Sequence, residues 1–527
     1  MNQTVRTISL FCLIFIILSA AYFPILFTPY IHHDDVKFFL KTPTKLMNPD
    51  FYQNVFLGRL LGAMRLTMYS FFINTISDLT FFRFINVLFL ALSACLMSLQ
   101  LRNYFKNDVC ALIASLIIFT LPPFQILASL VGFCATPIAL FLSILAANWI
   151  GRPLWSLLLL LMSLLLYQSI AMFYWVIVAI KILAIPKESS DQSLKNLVNP
   201  FFTGFGALGI YMLFMMYTKP YFKDIAVHGY NPYVVNFDVF SKLRWFIQEP
   251  LFNALNLWDI FPQKNLAFIL LTFILGTGVI HWLKLSNELK TGKILQKQFY
   301  GHCFLLFILL FLFPLSFLPN LMTEFNLGFY RCLTGLSSMV MLALLWATNT
   351  WMLVLPSKIR NKVLISILMV VLINGIVWAN KNIYEYRVKP SMIELQYLKD
   401  NLKNIEIAQL KSVHIIRPDL DKIKHRYDEF GTPTTAYKHN IIAAVTCTLR
   451  ELNLEKLTIY ALQYDFDNHL FKYTFKNTDN SEQTYTIKIT SSDKNESSED
   501  RSSAQIIIDM STLYSPGQPL DYLYSPT

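Results

Sequence analysis

Residues 8–35 read ISLFCLIFIILSAAYFPILFTPYIHHDD, an apolar run closed by four polar side chains, His32, His33, Asp34 and Asp35. The apolar part, Ile8–Phe27, has the roughly 20 residues a helix needs to cross a bilayer core. No Asp or Glu precedes Asp34. Two adjacent carboxylates at the mouth of such a helix sit at the membrane surface, where charge is costly unless it is solvated, paired or used. A catalytic base acting on a lipid-linked substrate is needed at that depth.

Outward from this stretch the apolar runs repeat. About eleven read as spans. After Ile8–Phe27 come Thr80–Leu101, Val109–Leu121, Ile126–Asn148, Leu154–Tyr167, Ile170–Leu183, Phe201–Thr218, Leu266–Leu283, Phe299–Leu318, Tyr330–Leu355 and Val363–Ala379. The run 154–185 would be roughly 48 Å long as one helix, against a core of about 30 Å. A break at Tyr167-Gln168-Ser169 is therefore expected, as a polar turn reaching the outer face. Of the 527 residues 55% are hydrophobic and 15% charged, where a soluble domain has about 25% charged. The fold class expected is an all-α polytopic membrane protein, residues 1–380, followed by a soluble α/β domain, residues 381–527. The tail carries strand-like alternation at Ser412–Pro418, Lys456–Leu462, Thr484–Thr490 and Ala504–Ser511, a candidate helix at Tyr437–Leu452, and a polar insert at Ser491–Ser503. Asp428-Glu429-Phe430-Gly431 has no kinase context and reads as a surface turn that could contribute acceptor contacts.

The net charge of +11 invites a nucleic-acid partner. The distribution excludes it, because Lys and Arg cluster in short loops between apolar runs. Arg102, Lys106, Arg152, Lys187, Lys195, Lys284–Lys297, Lys358, Arg360 and Lys362 fall on one side, which the positive-inside rule makes cytoplasmic. With an odd number of spans the N-terminus is then cytoplasmic, and the loop 28–79, the loop 219–264 and the tail are on the outer side. There is no acid between Val109 and Lys187, nor between Phe325 and Tyr384. Proton-coupled transporters keep relay carboxylates inside their spans, so the pattern points to work at the outer boundary. The seven cysteines form no C-x-x-C pair and no Cys/His metal spacing, and no metal or other cofactor is expected.

Asp34 and Asp35 are the candidate catalytic residues, one as general base for an acceptor hydroxyl and the other orienting or tuning it. The plain alternatives are solvated or capping loop acids, or, with His32 and His33, a metal site whose consecutive residues diverge too much to coordinate well. Arg331, Arg59 and Arg65 are candidate phosphate binders, with Lys219 and Arg244 behind them; interfacial snorkelling is the common alternative. Tyr167, Gln168 and Glu324, with His32 and His33, are candidates for sugar or acceptor contacts. Trp245 and Trp258 could stack on sugar rings or belong to the interfacial aromatic belt. Residues 51–78 are amphipathic at helical spacing and read as one or two interfacial helices.

His-His-Asp-Asp-Val-Lys-Phe-Phe (32–39), Gly58-Arg59 and Tyr167-Gln168-Ser169, on this plan of spans, resemble the GtrII-type O-antigen glucosyltransferases within the GT-C class of polyprenyl-phosphate-sugar-dependent enzymes. The likeness covers mainly the first two hundred residues, and the tail is longer than in compact members. The resemblance implies undecaprenyl-phosphate glucose as donor and lipid-linked O-antigen or another surface glycan as acceptor. It implies a bacterial inner-membrane location with a periplasmic active site, inversion, and no metal. A donor flippase and a donor synthase would be functional partners. A lipid or oligosaccharide flippase, a glycan polymerase and a non-catalytic scaffold are the alternatives.

Overall fold

The computed structural model describes residues 3–38, 49–73, 75–132, 136–184, 190–222, 238–261, 263–293, 296–324, 326–403, 412–417, 429–430, 444–445, 448, 458–465, 470–476, 482–491, 505–514 and 517–520. These residues are mostly helical. The first helices are α1 (Gln3–Ala21), α2 (Phe23–Phe27), α3 (Pro49–Phe56), α4 (Leu60–Phe72), α5 (Ile76–Phe105), α6 (Asp108–Phe119) and α7 (Pro122–Ser129). Next come α8 (Pro137–Asn148), α9 (Pro153–Leu166), α10 (Gln168–Ala171), α11 (Tyr174–Leu183), α12 (Ser190–Phe222), α13 (Val239–Gln248) and α14 (Pro250–Leu255). The last are α15 (Lys264–Lys290), α16 (Gln296–Leu315), α17 (Leu318–Met322), α18 (Thr334–Met352), α19 (Ser357–Ile383) and α20 (Lys389–Leu402).

Local chemistry sets the ends of these helices. Thr75 and Asp78 form a reciprocal capping box at the start of α5, and Lys106, at φ 52°, closes it in the left-handed region. Asn107 then caps α6 through its side chain, so the tight α5–α6 corner follows from these local caps. Arg6 and Arg102 both pair with Asp108. That ties the start of α1 to this corner and places the basic ends of α1 and α5 together.

Among the described residues, four helices are long and apolar enough to cross a membrane, or five if the bent pair α6–α7 counts as one. The expectation of an all-α membrane protein is met by these helices, while the expected count of eleven spans goes beyond them. Pro122-Pro123 lies between the third and fourth expected runs, where the chain turns by 68°, and the fourth run is divided between α7 and α8. Proline at the first turn starts a helix but cannot continue one. The remaining apolar runs at 5–21, 137–148, 153–166, 168–183 and 299–315 are shorter helices. The expected break near Tyr167 is present, between α9 and α10. The described residues of 51–78 fold as α3 and α4 followed by the start of α5, where one or two helices were expected.

The apolar window of α15 is only 11% buried, and it exposes Phe268, Ile269, Leu275, Val279 and Ile280. An aliphatic surface of that extent is unfavourable in water and suits a lipid-facing helix. Helices α6, α7 and α11 are packed inside, with α7 buried along its whole length. A polar network braces the α6–α7 bend. Trp258 Nε1 donates to Thr120 Oγ1 at 3.0 Å, Gln125 Nε2 to Thr120 O at 2.9 Å, and Asn382 Nδ2 to Trp258 O at 2.8 Å. Trp258 is thereby a core residue, and the sugar-stacking role considered for it is withdrawn. Trp245 packs on Phe317 and donates to Glu249 Oε2 at 2.8 Å.

Helix α19 passes through a π-helical turn, Tyr384–Val388, directly into α20. Beyond it lies a five-stranded sheet of β1 (Ser412–Arg417), β2 (Thr458–Asp465), β3 (Leu470–Lys476), β4 (Glu482–Ser491) and β5 (Gln505–Asp509). The strand order is β2-β3-β4-β1-β5, with β1 parallel to both neighbours and the β2-β3-β4 edge antiparallel. Strands β1, β2, β4 and β5 match the expected segments; β3 is additional. The candidate helix at Tyr437–Leu452 and the insert at Ser491–Ser503 lie almost wholly outside the described residues.

Replacing Asn382 by Leu should lower stability by about 1–3 kcal/mol, because Trp258 O loses its buried donor. A detergent-solubilised thermal melt, against a surface control such as Asn401→Leu, measures this.

Candidate functional site

The polar stretch 32–35 opens a short 3₁₀ turn, His33–Phe38. Asp35 N donates to His32 O at 2.7 Å. The Asp35 side chain is fully buried and nearly every acceptor position on it is used. Oδ2 receives Arg83 Nη2 at 2.7 Å, and Oδ1 receives Val131 N at 3.1 Å and Gly132 N at 2.9 Å. Arg83, equally buried, also donates to Tyr30 O at 3.0 Å and Ser129 O at 3.2 Å, and lies 3.6 Å from the Tyr30 ring centroid. One helical turn on, Asn86 Nδ2 donates to Leu130 O at 2.8 Å. The i, i+3 spacing of Arg83 and Asn86 puts both on the α5 face that meets the end of α7, where carbonyls need donors. From the other side Ser391 Oγ, on α20, donates to Ile31 O at 2.6 Å.

Gly132 makes this junction sterically possible. A Cβ there would collide with Asp34 O and stand 2.7 Å from Asp35 Cα. The loop carrying both aspartates therefore rests directly on the Val131-Gly132 backbone.

Asp34 is in a different environment. It is 9% exposed where Asp35 is 0%, and it lies within electrostatic reach of Arg331. Arg331 sits in a one-turn 3₁₀ segment, Tyr330–Cys332, just before α18. Next to it Tyr167 Oη meets Cys332 Sγ at 3.7 Å, and both Arg59 and Arg331 act electrostatically on Tyr167. The Arg59 guanidinium lies 4.5 Å from the Tyr167 ring centroid and donates through Nε to Gln168 Oε1 at 3.4 Å. Gln168 Nε2 donates to Leu57 O at 3.0 Å and Tyr211 Oη at 2.5 Å. Gly58 allows this by adopting φ +73° under Tyr211, a conformation that disfavours side chains. The break at 167–169 is thus a buried seam holding Arg59, whereas an outer-face turn was expected.

Of the sequence candidates, Asp34, Arg331, Arg59, Tyr167 and Gln168 come together. His32 is buried beside them, its backbone N–H directed at Asp35 Oδ2 at 3.4 Å. His33 lies in the same turn; its side chain is outside the described residues. Arg65 belongs to the Asp35 side, donating to Val131 O at 3.4 Å and stacking on Tyr69. Glu324 is exposed beside Lys242, whose Nζ donates to Glu324 O at 3.0 Å and Asn326 Oδ1 at 2.7 Å.

Two residues of the site escape sequence reasoning. Arg83 lies in an apolar run, where a lone Arg is ordinarily read as snorkelling. Glu429 belongs to the expected surface turn, which is corrected here: Glu429 is 1% and Phe430 0% exposed. The Glu429 carboxylate accepts from Tyr330 N, accepts from Arg331 N at 3.1 Å, and faces Arg331 Nε at 3.7 Å, while Phe430 packs edge-on to Tyr330. Burial pushes its carboxyl up to about 7, against the opposing pull of Arg331 and the two N–H groups. The only sequence signal was a Glu-Phe pair in a polar region.

Among the described residues no three His, Cys, Asp or Glu side chains gather as metal ligands. The chain was compared with protein-family models, with curated proteins and with solved structures, and nothing matches.

Gly132→Ala should displace the aspartate turn, because the contact is with backbone that cannot rotate away. Overpacking of this kind costs about 1–3 kcal/mol. A lowered melting temperature, with faster proteolysis within residues 28–48, is the expected outcome; an unchanged melt and an unchanged digestion pattern would contradict the packing described.

Proposed function

We propose that this protein is an integral-membrane glycosyltransferase that moves a hexose, glucose by resemblance, from a polyprenyl-phosphate sugar to a glycan hydroxyl. The observation that carries the reading is the contrast between one structurally committed aspartate and a neighbour within electrostatic reach of Arg331. Asp35 is consumed by Arg83 and two backbone N–H groups, so it anchors and positions. Asp34 is left as the base, and Arg331 and Arg59 as cations for a phosphate.

In this reading the acceptor hydroxyl oxygen attacks the anomeric carbon from the face opposite the phosphate. The bond between that carbon and the phosphate oxygen breaks, and the electron pair leaves with the polyprenyl phosphate. The hydroxyl proton passes to the Asp34 carboxylate. The extra negative charge on the leaving phosphate is met by Arg331 and Arg59, whose guanidinium geometry suits phosphate oxygens. Tyr167 and Gln168 hold Arg59 in place. Attack from the opposite face inverts the anomeric centre, so a β-linked donor gives an α-linked product.

The finer architecture belongs to the same reading. The short apolar helices complete a GT-C-like set of about eleven spans as broken or tilted passages. The sheet and its neighbours make a periplasmic α/β domain, and the protein resides in a bacterial inner membrane. The donor is undecaprenyl-phosphate glucose, supplied by a synthase and a flippase, and the acceptor is lipid-linked O-antigen or another surface glycan.

Asp34→Asn should reduce transfer of label from polyprenyl-phosphate [14C]glucose to lipid-linked glycan by about 10²–10⁴-fold, the range for loss of a general base. Its melting temperature should stay near that of wild type. Transfer at the wild-type rate by the Asp34→Asn variant would sink the assignment of Asp34 as base.

A further inference from the structure

Arg387, in the π-helical turn between α19 and α20, is 1% exposed, and none of its three guanidinium nitrogens has a hydrogen-bond partner among the described residues. Its guanidinium carbon lies 5.9 Å from the Phe430 ring centroid. Tyr30, Asp35 and Glu429 all act electrostatically on it. Three guanidinium groups lie around this point, those of Arg83 and Arg387 buried and that of Arg331 15% exposed. Arg83 is matched by Asp35 at 2.7 Å and Arg331 by Glu429 at 3.7 Å, whereas Arg387 is in no ion pair among the described residues. A buried cation without a partner is strongly unfavourable unless an anion is taken up. π-Helical turns inside α-helices are themselves enriched at functional positions.

Two carboxylates act on this surplus, Asp35, which Arg83 already holds, and Glu429. Glu429 arrives from a distant part of the chain and takes the guanidinium of Arg331 with two successive backbone N–H groups. Those are donors of the kind a phosphate monoester recruits. We propose that Glu429 is an intramolecular stand-in for a phosphate monoester, occupying a subsite bounded by Arg331 and Arg387 that opens when the Glu429-Phe430 segment withdraws. This rests on the reading of Arg331 as a phosphate-binding residue. It adds the resident competitor, a second cation, and a means by which the tail regulates access. A phosphate dianion brings more charge and more acceptor oxygens than one carboxylate, so it satisfies Arg387 as well as Arg331. The raised Glu429 carboxyl makes the resident anion a weak one at neutral pH.

The opposite role is equally concrete. Glu429 could be a strut that fixes Arg331 for phosphate, and its loss would then weaken binding. The test uses the full chain in lipid nanodiscs and measures binding of farnesyl phosphate, with farnesol and inorganic phosphate as separate probes. Glu429→Gln should bind farnesyl phosphate at least about 10-fold more tightly than wild type, the size of a modest charge-assisted contact, and adding Arg387→Gln should abolish that gain. A parallel gain for inorganic phosphate alone assigns the subsite to free phosphate; a gain restricted to farnesyl phosphate assigns it to a lipid phosphate. In wild type, farnesyl phosphate but not farnesol should raise hydrogen exchange in peptides containing Glu429 and Phe430, which requires no variant to fold. Equal or weaker binding by Glu429→Gln, or exchange that is unchanged or falls, overturns the proposal. Binding needs no sugar transfer, so a failed transferase assay leaves this result intact, and transfer without these binding changes overturns the subsite alone.

Discussion

The buried pair of Asp35 and Arg83 is the interaction on which the rest of the site depends. Each charge loses its water on burial, at an effective cost of several kcal/mol per ion. The pair persists because the carboxylate and two of the three Arg83 nitrogens are hydrogen-bonded, with Nη1 left without a partner among the described residues. Val131 and Gly132 donate to the carboxylate, and Arg83 donates to Tyr30 and Ser129 carbonyls while stacking on the Tyr30 ring. Two side chains thereby join the end of α2, the start of the 3₁₀ turn, helix α5, and the extended exit from α7. Removing either partner strands a charge among groups arranged for the pair.

That anchoring divides labour between adjacent, chemically identical residues. Successive side chains in a tight turn point in different directions. Asp35 is turned into the protein, and Asp34 lies within electrostatic reach of Arg331, at the seam where Tyr167 meets Cys332. The seam is assembled from the polar break before α10, the glycine-hinged start of α4, and the one-turn segment before α18. Glu429 and Phe430 close it from the tail. The first three contributions come from the end or interruption of a helix, where free donors and acceptors are found. A site of this kind needs many short, broken helices, and the fold supplies them at the expense of long regular spans.

Much of this was legible in the chain, for identifiable reasons. Paired carboxylates after an acid-free apolar run stand out whatever the fold, and an apolar stretch as long as 154–185 with a polar centre has to break. Gly58-Arg59 was readable as a unit, although the +73° torsion behind it was not. Helix continuity was not legible where proline and local polar groups bend or shorten helices, because hydropathy measures composition and not continuity. Arg83 was hidden by its apolar neighbours, since its partner lies 48 residues away. Glu429 was hidden more deeply: its contact with Arg331 spans 98 residues, and nothing local distinguishes a buried Glu-Phe from a loop tip.

The central claim is tested most directly by a double-mutant cycle on Asp35 and Arg83, read as unfolding free energy from an SDS titration in mixed micelles. The account predicts that Asp35→Asn and Arg83→Met each destabilise by about 3–5 kcal/mol, as expected when one partner of a buried pair is lost. It predicts that the double variant is no less stable than the worse single variant, because no charge is then left stranded. Strict additivity of the two losses would show that the residues act independently, and the aspartate turn would then need a different anchor.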